Sequence, residues 1–92
     1  ALNISLSSYP NPFTSTTKIK YSLPASGKVN LTIYNLKGQK VRTLLEAKKS
    51  AGTHQTFWDG KDGAGRSLAA GIYLIRLSSG KESRTVKAVL AK

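Results

Sequence analysis

Turn-forming residues interrupt this chain at roughly 8–12-residue intervals, and the stretches between them suit short β-strands rather than helices. Pro24-Ala25-Ser26-Gly27, Asn35-Leu36-Lys37-Gly38, Ser50-Ala51-Gly52 and Ser78-Ser79-Gly80-Lys81 each carry the Gly, Pro, Asn or Ser that a tight reversal needs. Asp59 to Gly65 holds three glycines and two aspartates in seven residues, and reads as a loop. Between the turns, apolar and polar residues alternate, the period of a strand with one buried face. Leu2, Ile4 and Leu6 predict a first strand that stops at Ser7-Ser8. Ile19, Tyr21 and Leu23 should face inward in the next strand, and Val29, Leu31 and Ile33 in the one from Lys28 to Asn35. Gln39 to Leu45 returns, but its alternation breaks, so a bulge or a short helical turn over Leu44–Lys49 is expected. Thr53 to Trp58 follows. Ile72 to Leu77 is apolar on both faces and belongs at a sheet centre, and Glu82 to Leu90 closes the chain's strand set. About seven short strands without a long helix predict one domain, 1–92: an all-β, Ig-like or fibronectin-like antiparallel β-sandwich.

The 92 residues include no Cys, so neither a disulfide nor a thiolate metal ligand can hold the domain together. No apolar run approaches the ~20 residues of a membrane-spanning helix. The chain begins at Ala1 without a basic-then-apolar leader, and is expected to be a module of a longer secreted protein or a mature form. Fifteen Lys and Arg against four acids give a net charge of +11, which attracts any polyanion.

Catalysis is not expected. His54 is the sole histidine, and Asp59 and Asp62 lie in a Gly-rich turn, where aspartates ordinarily bond nearby amides. Asp59 to Gly65 fails as a calcium loop because Lys61 and Gly63 stand at ligand positions. Asn3-Ile4-Ser5 and Asn30-Leu31-Thr32 match the glycosylation pattern within predicted strands, a match common by chance. Neither a cofactor nor a metal is implied. Nucleic acid is not an expected partner either: Tyr21 and Tyr73 fall on inward positions, and Tyr34 alone, outward by parity with Lys28, Asn30 and Thr32, is no stacking platform.

Five segments stand in order: Tyr9-Pro10-Asn11-Pro12-Phe13 with Thr16 to Pro24, then Gly27-Lys28-Val29 through Ile33 to Val41. Gly52-Thr53-His54 with Trp58-Asp59-Gly60 follows, then Ala70-Gly71-Ile72-Tyr73, then Lys87 to Lys92. Together they resemble the type A C-terminal sorting domains of the type IX secretion system. Trp58-Asp59-Gly60 and Gly71-Ile72-Tyr73 are similar also to the Ig-like domain of flagellar hook-capping proteins.

The resemblance implies a non-catalytic sorting signal that directs an attached cargo across the bacterial outer membrane. The cargo would be exported, pass through the periplasm, and end at the cell surface or outside it. Expected partners are the outer-membrane secretion machinery, a sortase-like processing protease and anionic lipopolysaccharide. Candidate translocon-recognition residues are Gly71, Tyr73, Lys87, Val89 and Lys92. Tyr9, Pro10, Pro12, Phe13, Trp58, Asp59 and Gly60 form the structural motif. Lys18, Lys20 and Lys28 lie on outward positions of two consecutive strands, and would form a basic patch if those strands pair. The alternatives are a hook-capping Ig-like domain, or an accessory structural or carbohydrate-binding module beside an extracellular enzyme. For sugar stacking, the candidates are Tyr34, Phe57, Tyr9 and Phe13.

Overall fold

The computed structural model describes residues 4–91. Seven strands follow in order: β1 (Ser5–Tyr9), β2 (Thr17–Leu23), β3 (Gly27–Tyr34), β4 (Lys40–Lys49), β5 (Gly52–Trp58), β6 (Gly71–Ser79) and β7 (Glu82–Leu90). They form a three-stranded sheet, β1-β2-β5, facing a four-stranded sheet, β4-β3-β6-β7, and all strand pairs are antiparallel. No helix occurs among the described residues. The architecture is the expected Ig-like sandwich.

Alternation builds the core. Ile19, Tyr21 and Leu23 of β2 and Trp58 of β5 point into the gap from one side. Val29, Leu31 and Ile33 of β3 meet them from the other, with Tyr73, Ile75 and Leu77 of β6 and Ala88 and Leu90 of β7. β6 occupies an interior position, as its two-sided apolar run requires.

Two expectations need correction, and a third, with two alternatives, resolves to the bulge. β1 does not stop at Ser7-Ser8; it pairs with β2 through Tyr9↔Lys18, because Ser7 and Tyr9 stand on the solvent face, where polar side chains cost nothing. Leu2 lies outside the described residues. No helical turn covers Leu44–Lys49: β4 stays paired to β3 along its length, and the broken alternation is absorbed by register shifts opposite Leu31/Thr32 and Ile33/Tyr34. Finally, β2 and β3 do not pair. Pro24 cannot donate to a ladder and fixes its own φ, and the short link Pro24-Ala25-Ser26 carries the chain from one sheet to the other. β3 already has both edges filled by β4 and β6.

Candidate functional site

The segments that carry the sequence resemblance meet at one end of the sandwich. Pro10 and Pro12 supply no amide hydrogen, so hydrogen bonding in this stretch falls to Asn11 and Phe13. Asn11 Nδ2 donates to the Lys87 carbonyl at 2.6 Å, and Asn11 Oδ1 accepts from the Val89 amide at 2.9 Å. The Phe13 amide donates to the Val89 carbonyl at 2.9 Å, and the Ala91 amide donates to the Phe13 carbonyl at 2.8 Å. These four bonds occupy the free edge of β7 from Lys87 to Ala91, where an open ladder would otherwise await another strand. Thr17 is fully buried; its hydroxyl donates to the Pro10 carbonyl at 2.9 Å and ties the segment to β2. The Tyr9–Pro10 and Asn11–Pro12 peptide bonds are cis.

Beneath the segment lies an aromatic cluster. The Phe13 and Trp58 ring centroids are 5.3 Å apart, and Trp58 meets Tyr73 edge-on at 5.5 Å. The Trp58 indole N–H donates to the Lys61 carbonyl at 3.0 Å, so a fully buried ring keeps its polar atom satisfied. The Tyr73 hydroxyl donates to the Ala69 carbonyl at 2.6 Å, and burial pushes its pKa above the ordinary value. Gly60 has φ +74° and sits against Leu90: a Cβ there would come within 3.3 Å of the leucine side chain and 3.7 Å of Phe13. The turn after Trp58 therefore packs directly on the terminal strand.

The loop carboxylates organise this turn. Asp59 Oδ1 accepts from the Lys61 amide and from the Arg42 guanidinium, 2.6 Å away. Desolvation alone would raise its pKa, but the Lys61 amide and the Arg42 charge outweigh it and hold the carboxyl below the usual value. Asp62 accepts from the Arg66 and Ala64 amides; the Arg66 amide leads, and against some desolvation these bonds and the Arg66 charge lower its pKa. Asp62 thus bonds within the loop, and Asp59 ties the loop to Arg42 of β4. No group of three or more His, Asp or Glu is placed to hold a metal among the described residues.

The structure brings Pro10, Pro12, Phe13, Trp58, Asp59, Gly60, Tyr73, Lys87 and Val89 into this one region. Tyr73 is buried, so its ring is part of the support and not of an outer surface. Lys87 is exposed and Val89 half-buried on the outer face of the four-stranded sheet. Gly71 opens β6 with φ +153°, and a Cβ there would meet nothing within 4 Å; its backbone angle, not close packing, is what asks for glycine. Lys92 lies outside the described residues. The basic trio is divided: Lys18 and Lys20 stand on the outer face of the three-stranded sheet, and Lys28 stands on the opposite sheet beside Lys48. Asn11, Thr17 and Arg42 are the contributors that sequence reasoning passed over. The signal for Asn11 was its place between two prolines, the only side chain there able both to donate and to accept.

The fold and this end of it define an Ig-like β-sandwich domain. The family model for the FlgD Ig-like domain matches residues 9–83, and the chain belongs to that family. Among solved structures, dimeric latent PorU from Porphyromonas gingivalis matches with a TM-score of 0.77 and 19% identity, over 96% of this chain and 9% of that one. PorZ, from the same organism, matches with a TM-score of 0.66 and 16% identity, over 96% of this chain and 12% of that one. FlgD from P. aeruginosa matches with a TM-score of 0.63 and 25% identity, over 97% of this chain and 65% of that one. This chain thus spans about a tenth of PorU and PorZ and under two thirds of that FlgD. No curated protein matches the sequence.

Proposed function

We propose that this chain is a non-catalytic sorting module that directs an attached cargo across a bacterial outer membrane. The observation that carries the reading is the bonding of the Tyr9–Phe13 segment to the last strand, Lys87 to Ala91. A signal read from a folded domain must present its recognition surface in one shape, and a terminal strand left with an open edge frays or pairs with neighbours. Here the opening and closing segments of the sorting-domain resemblance are the two that lock each other. Lys87 and Val89 are offered on the outer face beside the lock, where the secretion machinery would read them. A processing protease and anionic lipopolysaccharide are the further partners of this reading, and the periplasm followed by the cell surface is its location. PorZ, described as an essential bacterial surface component of the type IX secretion system, shares the fold and is consistent with it.

The test is a reporter with an export signal, fused ahead of residues 1–92 and expressed in a host that has the type IX translocon. Surface delivery is expected, and loss of delivery when Lys87 and Val89 are replaced. A reporter that stays in the periplasm overturns the reading.

Family membership favours a second reading, a structural module of a hook-capping protein. A chimera in which residues 9–83 replace the matching domain of a hook-capping FlgD separates the two. Restored hook assembly together with failed export would install the second reading in place of the first.

A further inference from the structure

β1, β2 and β5 present a second outer face, on the sheet opposite the one that holds β7. Strand register places Tyr9, Lys18 and Phe57 in one row across all three strands, with Lys18 between the two aromatics. Tyr9 is 76% exposed and Phe57 57%, and Lys18 is exposed between them. Two strand spacings, roughly 10 Å, separate the outer members of such a row. The next row is Ser7, Lys20 and Gln55. The row after it holds Ser5, Ser22 and Thr53, with the two serine hydroxyls hydrogen-bonded to each other. No acidic residue stands in these rows.

We infer that this face binds an acidic polysaccharide, with Tyr9 and Phe57 stacking on sugar rings and Lys18 and Lys20 holding the carboxylates of uronic acid residues. The chemistry of the face selects this occupant. A second copy of the chain would bring Lys18 and Lys20 against like charge on a molecule of net charge +11. A neutral apolar partner would bury two ammonium groups without a counter-charge. An anionic occupant removes both penalties. Among anions, a polyol fits best. Apart from Lys20, the second and third rows are hydroxyls and an amide, groups that both donate and accept, as sugar hydroxyls do. A nucleic-acid phosphate would meet the same two ammonium groups, and what separates the two anions is the hydroxyl-rich rows beside them, which pair with sugar hydroxyls. A glycan laid across the strands sets one ring on Tyr9 and another on Phe57, and an intervening carboxylate over Lys18.

Binding to polygalacturonate, measured by isothermal titration in about 0.15 M salt, where long-range attraction is screened, tests this directly. Dextran, poly-glutamate and single-stranded DNA serve as comparison ligands. Polygalacturonate should bind more tightly than each of them. Phe57→Ala and Tyr9→Ala should each weaken it about tenfold, the scale of one lost ring stack, and Phe57→Tyr should retain it. Lys18→Gln should weaken it at least about threefold, more than Lys48→Gln on the other sheet, which makes the same change in net charge. Equal affinity for poly-glutamate, tighter binding to DNA, or a Phe57→Ala effect no larger than that of Lys48→Gln overturns the inference. So does a dimer in sedimentation that Phe57→Ala dissolves. The binding assay needs no translocon, so its outcome is independent of the export assay.

Discussion

Trp58 shows how one side chain ties a loop to the core. Its indole is fully buried between Phe13 and Tyr73, and its N–H reaches the Lys61 carbonyl at 3.0 Å, within the loop that Asp59 shapes. Trp58→Ala removes the largest buried side chain and leaves that carbonyl only the long bond from the Arg42 guanidinium, 3.4 Å. The expected cost is about 3–5 kcal/mol, a large share of the roughly 5–15 kcal/mol that holds a small domain together. Urea titration followed by far-UV circular dichroism measures it. A loss under about 1 kcal/mol would mean that the ring does not fill the core. A strand ending at Trp58 was legible in the sequence, but burial of its ring was not, because Thr53 to Thr56 set no apolar parity that would choose between Phe57 and Trp58 for the core. The partner of its N–H was not legible, since a loop carbonyl is placed only once the loop's own turns are formed.

At the level of elements, the strands were readable and their partners were not. Period-two alternation reports that a strand has a buried face, but both sheets bury against the same core, so alternation is blind to which sheet a strand joins. That is why β2 and β3 looked like partners across Pro24 to Gly27 when the link is a crossover. The lapse at Leu44 was a sounder guide, and marked a true irregularity in β4. The role of the proline-rich segment as an edge cover required knowing where β7 lies. Asn11 makes the prediction at this scale. Asn11→Ala deletes the two hydrogen bonds to β7, those to the Lys87 carbonyl and from the Val89 amide, and a long one to the Ser8 hydroxyl, while Phe13 keeps its two backbone bonds. Destabilisation of about 1–2 kcal/mol is expected. Amide hydrogen exchange at Val89 should accelerate more than exchange at Ile75 in the sheet interior. Unchanged protection of Val89 would show that the Phe13 backbone holds the strand without the side chain.

For the whole molecule, charge and the loop carboxylates combine into an acid response. Above the carboxylate range the chain carries +11. Asp59 and Asp62 titrate below the ordinary aspartate value in the folded state. Because their folded pKa values are depressed, the unfolded chain binds more protons in the window between the two states. Their stabilising contribution is therefore complete above the unfolded value and disappears as pH falls through the folded one. Over the same range, protonation of all four acids leaves fifteen Lys and Arg charges unopposed and raises self-repulsion. The melting temperature should fall steeply below about pH 4. The two causes separate by salt and by mutation. Added salt screens the diffuse repulsion and recovers that part of the loss, whereas it does not restore a proton-blocked bond from the Arg66 amide to Asp62. Asp59→Asn with Asp62→Asn keeps an oxygen acceptor at each site but removes the titration, so the double variant should be less stable at neutral pH and flatter in acid. Thermal melts of both proteins from pH 7 to pH 2, at low and high salt, give the comparison. If the double variant loses stability in acid as steeply as the parent, repulsion among the lysines and arginines governs the acid limit, and the two loop aspartates do not.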